Sequence, residues 1–350
     1  MRYQLLGRSG LRVSQACLGA MTFGQDWGWG ASKEDSRKVF DAFAAAGGNF
    51  IDTAINYTNG TSESYVGEFL RGQRERFVLA TKYTLTRRPE DPNGGGNHRK
   101  NMVQSVEHSL RQLGTDYIDL YWLHAWDFMT PVEEVMRGLD DLVRAGKVLY
   151  IGISDTPAWI VSQANTMAEL RGWSRFVALQ IQYSLIERTP ERDLLPMARA
   201  FDLAVTTWGV LGGGALSGTY RKGAPRPAGH RLSDSPWGEA LLNDRNLAVA
   251  EVVHEVAEEL DRPPSQVAIA WVLAQHRKRS QIIPLLGARS DTQLQDNLGA
   301  FEVELSDEQL AHLDEVSQIA LGFPHDFLPR VRGVIYGQLY DQIDPHPHRG

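Results

Sequence analysis

Short unbroken apolar runs alternate along this chain with longer stretches in which apolar positions recur every three or four residues. The runs lie at 17–21 (CLGAM), 50–54 (FIDTA), 78–82 (VLATK), 120–124 (LYWLH), 150–154 (YIGIS), 178–183 (ALQIQY), 204–209 (AVTTWG) and 282–288 (IIPLLGA). Runs of this length without polar alternation mark strands covered on both faces, as in a parallel sheet. Ahead of them, residues 1–16 alternate on either side of Ser9-Gly10, the pattern of a β-hairpin.

Six of the intervening segments carry helix signals. SKEDSRKVFDAFAAAG opens on Ser32 with Asp35 three positions on and ends at Gly47, a capping-box start and a glycine stop. PVEEVMRGLDDLVRAG has Pro131 and two acids early, then Arg144 and Gly146 late, which suits the helix dipole. NMVQSVEHSLRQLG, DRNLAVAEVVHEVAEELD, PPSQVAIAWVLAQH and the segment after 288 complete the set. Eight β-then-α units with no linker between them predict one (β/α)8 barrel domain over 1–350, with a tail at 321–350.

Composition narrows the function. The 350 residues carry a formal charge of −7, so no basic excess offers a footprint for nucleic acid. Cys17 is the only cysteine, which leaves no disulfide framework and no thiolate metal cluster. No run approaches a membrane span and the N-terminus lacks a signal-like apolar stretch, so the expectation is a soluble cytoplasmic protein with no membrane partner. His325, His346 and His348 lie in a Pro-rich tail, read as a frayed end without metal. Oligomeric state is not legible.

The chemistry gathers at strand ends. Lys82 and His124 close the third and fourth barrel runs, Asp52 lies within the second, and Tyr57 follows it. In a parallel barrel such positions share one rim. A phenol needs its anion stabilised to act as a general acid, an ammonium can do that, and a buried ammonium needs a carboxylate. Histidine can hydrogen-bond a carbonyl oxygen beside the phenol. Singly, each has an ordinary reading: a cap, a surface lysine, a satisfied core histidine, a loop tyrosine. Together, in this order, they make a proton-transfer site.

A place for a hydride donor is readable farther on. Ser154 and Gln180 offer hydrogen bonds to a carboxamide, and Trp208 a face for a planar ring. The loop Gly212-Gly213-Gly214, continuing through Leu216 to Gly218, can bring bare backbone N–H groups to a pyrophosphate. From Gly287 the sequence runs GARSDTQLQDNL, where Arg289, Ser290, Gln293 and Asn297 open a helix in the region that binds phosphate in many barrels. Three long stretches, 84–100, 210–246 and 321–350, exceed ordinary barrel connections. The triple glycine at 94–96 reads as flexible, and His98, Arg99 and Lys100 as a solvated loop or, less directly, a cationic lid. Trp27, Trp29 and Trp126 stand on rim loops, either lining a pocket for a ring-shaped substrate or simply packing there.

The segments LGRSGLRVS, GNFIDTAINY, LATK, LGTDYIDLYWLH, GISD, WGVLGGGALSGTY and GARSDTQLQDNL resemble the aldo-keto reductase family over nearly the whole chain. The resemblance implies NADPH-dependent reduction of a small-molecule aldehyde or ketone, NADH remaining open, with Asp52, Tyr57, Lys82 and His124 as the catalytic tetrad. It further implies that Ser154 and Gln180 hold the nicotinamide carboxamide, that Trp208, commonly Tyr, stacks on the ring, and that Arg289 meets the 2′-phosphate. Three positions depart from the pattern: Asp155 where Asn is usual, Gly209-Val210 where Ser-Pro is usual, and Gln293 where some branches have Arg. Two other functions stay open: a Schiff-base lyase using Lys82, and a cofactor-binding accessory subunit without turnover. Replacing Arg289 with Ala is expected to weaken NADPH far more than NADH; titration with both cofactors checks this, and equal losses would remove the assignment.

Overall fold

The computed structural model describes residues 1–227, 232–233 and 237–344. His346 and His348 lie outside the described residues. The chain divides into two compact units, Met1–Ser317 and Gln318–Gly350.

The first unit is the barrel. Strands β1 (Tyr3–Leu5) and β2 (Arg12–Ser14) pair antiparallel as the hairpin. Eight parallel strands follow: β3 (Cys17–Gly19), β4 (Phe50–Asp52), β5 (Val78–Tyr83), β6 (Ile118–Leu123), β7 (Val148–Ser154), β8 (Phe176–Gln182), β9 (Ala204–Trp208) and β10 (Ile282–Gly287). They close in the order β10-β3-β4-β5-β6-β7-β8-β9, each expected run supplying one strand. The helices are α1 (Lys33–Ala45), α2 (Thr61–Leu70), α3 (Arg99–Leu113), α4 (Val132–Arg144), α5 (Ala158–Arg171), α6 (Leu194–Ala200), α7 (Trp237–Leu241), α8 (Asp244–Leu260), α9 (Pro264–Lys278), α10 (Asp291–Gly299) and α11 (Asp307–Ser317). Among the described residues no helix is long and apolar enough to cross a membrane.

Strand alternation sorts side chains between two cores. Phe50, Val78, Ala80, Leu120, Trp122, Ala178, Ala204 and Ile283 point into the barrel, whose lower end is stopped by Leu6 and Val13 of the hairpin. Their neighbours Ile51, Leu79, Tyr121, Leu123, Leu179 and Val205 point outward to the helices. Trp122 fills the interior only because Gly152 faces it, where a Cβ would stand 2.4 Å from the indole. Continued by two residues, the inward rows end in Asp52, Lys82, His124 and Gln180, and that of β9 reaches Trp208 after four, so the same period that builds the core delivers the polar rim.

Several local expectations are corrected. Helix α3 starts at Arg99, with His98 as its N-cap accepting from the Asn101 N–H at 3.3 Å, so 98–100 is a helix start instead of a solvated loop. The triple glycine at 94–96 is tied down: the Gly96 N–H donates to the Thr84 carbonyl at 2.8 Å, and Asn101 Nδ2 donates to the Gly96 carbonyl at 2.8 Å. Pro131 is the N-cap of α4, one position outside it. The second unit is no frayed end over its described part: it holds a turn at Leu328–Val331, helix α12 (Arg332–Tyr336) and a turn at Gly337–Gln342, with Arg332 over the Tyr340 ring at 4.5 Å.

Behind the barrel wall, Glu63 on α2 is fully buried and accepts from Thr81 Oγ1 at 2.6 Å. Burial pushes its carboxyl up, against the hydrogen bond of Thr81. Its folded-state pKa being raised, its contribution to stability is present below the unfolded value of about 4.3 and is lost as pH rises through the folded one. Glu63→Gln removes that loss, so the melting temperature of the variant is expected to gain on the parent between pH 4 and pH 8; a constant difference across that range would refute the assignment.

Candidate active site

Asp52 ends β4 and Lys82 stands one residue before the end of β5, both essentially without solvent exposure. Lys82 Nζ donates to Asp52 Oδ2, to the Thr53 carbonyl at 2.8 Å and to the Tyr57 hydroxyl at 3.1 Å. All three protons of the ammonium are thereby used. The other oxygen of Asp52 accepts from Gln180 Nε2 at 3.2 Å, which ties the pair to β8 across the barrel.

Tyr57 is held by strained backbone. Thr58 and Asn59, immediately after it, take φ of 45° and 56°, a region that a β-branched threonine rarely enters. Hydrogen bonds retain them there: Thr58 Oγ1 donates to the Phe23 carbonyl at 2.7 Å and accepts from the Ser62 N–H at 3.0 Å. Asn59 Oδ1 accepts from the Trp27 indole at 3.3 Å. Trp27 lies edge-on to Tyr57 at 6.3 Å between centroids, and Trp29 packs against Trp27 at 5.6 Å. On the opposite side His124 meets Tyr57 edge-on at 5.8 Å.

Burial raises the phenol pKa, and the Lys82 ammonium only partly offsets that. Lys82 does ease release of the proton, but burial outweighs it, so the phenol stays protonated through neutral pH, as a proton donor should. Burial works against the Lys82 ammonium, but Asp52 and Tyr57 outweigh it and leave its pKa raised. Burial likewise raises Asp52 against the pull of Lys82 and Gln180. His124 is pushed well below its ordinary value by burial and by Lys82, so it is neutral, and its Nδ1 is buried without a partner among the described residues.

Beside this cluster Ser154 ends β7, its Oγ buried and without a well-formed hydrogen bond among the described residues. An orphaned hydroxyl next to Gln180, with Trp208 at the neighbouring strand end, fits an amide-bearing planar ligand. Trp208 Nε1 donates to Asp155 Oδ1 at 3.2 Å, and the Trp126 N–H reaches the Asp155 carbonyl at 3.5 Å. Sequence reasoning noted Asp155 only as a departure. Its signal was the turn after β7, where its φ of 39° suits Asp or Asn.

The remaining positions lie farther round the rim, past β9 and β10. Gly212, Gly213, Gly214 and Gly218 all have positive φ, so glycine is required there. The loop does not present the expected row of bare N–H groups: those of Gly212, Gly214, Ala215, Leu216 and Ser217 donate within the turn, because left-handed residues wind it tightly. Leu216 is buried, and a cavity of about 670 Å³ opens beside Gly218, lined also by Ser217, Thr219, His254 and Pro264. Gly287 faces open space at the end of β10. Ser290 caps α10, accepting from the Gln293 N–H at 3.2 Å, while Gln293 Oε1 accepts from the Arg289 N–H at 2.9 Å. Arg289 is exposed at this helix N-terminus, and Asn297 is buried farther along the same helix, so α10 offers an anion a positive dipole end and a guanidinium.

Residues 16–318 match the Aldo/keto reductase family. The chain belongs to the aldo/keto reductase family. It is 39% identical over 344 residues to an aryl-alcohol dehydrogenase [NADP(+)] of Phanerodontia chrysosporium, covering 92% of this chain and 87% of the relative. It is 40% identical over 338 residues to a norsolorinic acid reductase of Emericella nidulans, covering 91% and 82%. A putative aryl-alcohol dehydrogenase of Saccharomyces cerevisiae is 36% identical over 340 residues, covering 93% and 89%. Oxidoreductase activity is the general function that this membership carries.

Removing one partner of a buried ion pair leaves the other charge uncompensated, at a cost of about 3–5 kcal/mol. Lys82→Met is expected to lose stability on that scale in urea unfolding, with a substantial part restored in the double variant Asp52→Asn, Lys82→Met. No recovery in the double variant would show that the loss is one of packing.

Proposed function

We propose that this family member reduces an aldehyde or ketone with NADPH, Tyr57 serving as the general acid. The bond from Lys82 Nζ to the Tyr57 hydroxyl carries the reading. It places a fixed positive charge against the oxygen that must release a proton, so the phenolate left behind is stabilised where it forms. Asp52 keeps Lys82 charged, and Thr53 and Gln180 keep the pair in register. A neutral His124 can donate one hydrogen bond to the substrate oxygen and orient it toward the phenol.

Ser154 and Gln180 would hold a nicotinamide carboxamide, Trp208 would cover the ring, and Arg289 with the α10 N-terminus would take the phosphate end. The dinucleotide, when bound, supplies the hydride. An NADP(+) dehydrogenase among the relatives supports NADPH as the working cofactor. The names of the relatives, aryl-alcohol dehydrogenase and norsolorinic acid reductase, support an aromatic carbonyl compound as substrate, and so does Trp27 beside Tyr57.

The other two functions fare less well. A Schiff-base nucleophile must be a neutral amine, and Lys82 is fully hydrogen-bonded with its pKa raised. An accessory subunit that only binds cofactor has no use for a phenol held by strained backbone against an ammonium. Tyr57→Phe is expected to lower turnover of an aryl aldehyde by roughly two to four powers of ten while leaving NADPH affinity nearly unchanged. An NADPH absorbance assay paired with calorimetry reads both, and retained turnover would sink the role.

A further inference from the structure

Asp155 stands between the proton-handling cluster and the aromatic rim, and neither proton transfer nor carboxamide binding requires its charge. Its backbone is fixed on both sides: its N–H donates to the Gln180 carbonyl at 3.2 Å, and its own carbonyl receives the Trp126 N–H. Its side chain accepts from the Trp208 indole. It adjoins Ser154 in sequence and Gln180 through the backbone bond, so it touches all three residues proposed to hold the nicotinamide end. The carboxyl is exposed yet densely surrounded by protein, as a group lining a concave mouth is.

The charges around it leave it uncompensated. Lys82 faces it, but the charge of Lys82 is taken up by Asp52. Tyr57 is protonated and His124 is neutral. Burial outweighs the indole N–H, the Lys82 ammonium and Ser154 and raises the Asp155 carboxyl above its ordinary value, so its charge is fully developed on the alkaline side of neutrality. With Asp155 ionised, the mouth formed by these five residues carries one net negative charge, at the position where many family members have a neutral Asn.

We propose that the Asp155 carboxylate sets which redox form of a nicotinamide cofactor this chain prefers, stabilising the oxidised ring over the reduced one. The inference rests on the cofactor reading above. The oxidised nicotinamide ring is formally cationic and the reduced ring is neutral, while the rest of the dinucleotide is the same in both. A fixed carboxylate at the mouth thus acts on the difference between the two, and only a difference in affinity moves an equilibrium. The consequence is a pull toward bound NADP+, which favours hydride donation to a carbonyl at the site and makes NADP+ an effective product inhibitor of reduction.

Asp155→Asn separates charge from shape. The amide tolerates the same left-handed backbone and keeps an oxygen for the Trp208 indole. Dissociation constants for NADP+ and NADPH, measured by calorimetry at pH 8 on the wild-type protein and on D155N, give the ratio that matters. D155N is expected to weaken NADP+ relative to NADPH by about tenfold, the scale of one unit charge a few ångström away in a partly solvated mouth. Asp155→Ala should shift the ratio in the same direction, because it too removes the charge. An unchanged ratio in D155N overturns the proposal, as does a D155A variant that weakens both forms equally, which would mean that Asp155 only holds Trp208. Wild-type protein that binds neither form overturns the cofactor reading itself, an outcome distinct from either of these.

Discussion

The buried ion pair of Asp52 and Lys82 is the constraint on which the rest of the site depends. Two charges inside a barrel cost several kcal/mol each to strip of water, and their mutual attraction recovers that only when every remaining donor and acceptor is used. Here they are: the ammonium reaches a carboxylate, a carbonyl and a phenol, and the second carboxylate oxygen reaches Gln180. The set joins β4, β5, β8 and the loop after β4. An apolar pair of equal volume would serve folding as well, so the arrangement makes sense through what the ammonium does to the phenol.

The barrel interior is divided by height. Its lower part is dry and close-packed around Phe50, Leu120 and Trp122, and its upper layer is polar. Gly152 marks the division, because only a residue without a side chain lets the Trp122 ring cross the axis. That ring forms a floor, which keeps the charged layer from sinking and gives Lys82 a rigid neighbour across the β5–β6 pairing. Tyr57 stands on no strand. It is placed by two left-handed residues whose strain is offset by three hydrogen bonds to side chains and backbone of the first rim loop and α2.

Much of this was legible in the amino-acid order, and the exceptions share a physical cause. All eight barrel strands showed as apolar runs because both of their faces are covered. Asp52, Lys82 and His124 showed because a two-residue period carries the inward row to the rim. Helices α2 and α5 did not stand out, since polar residues occupy part of their buried faces: Ser62 and Glu63 on α2, and on α5 Asn165, whose amide pairs with both backbone groups of Phe176. His98 was read as loop because an imidazole is an unusual cap. The glycine loop was misjudged because composition shows that a backbone is bare, and not whether its N–H groups are already engaged. The bond from Trp208 to Asp155 spans 53 positions and left no local trace.

The hairpin at the start of the chain bears on the site as well as on stability. With Leu6 and Val13 corking the lower end and side chains packed above them, the barrel is closed at its hairpin end. The polar layer at the opposite rim is thereby left as the face on which Asp52, Lys82, Tyr57 and His124 meet, and a hairpin that touches none of them fixes which end of the barrel that is.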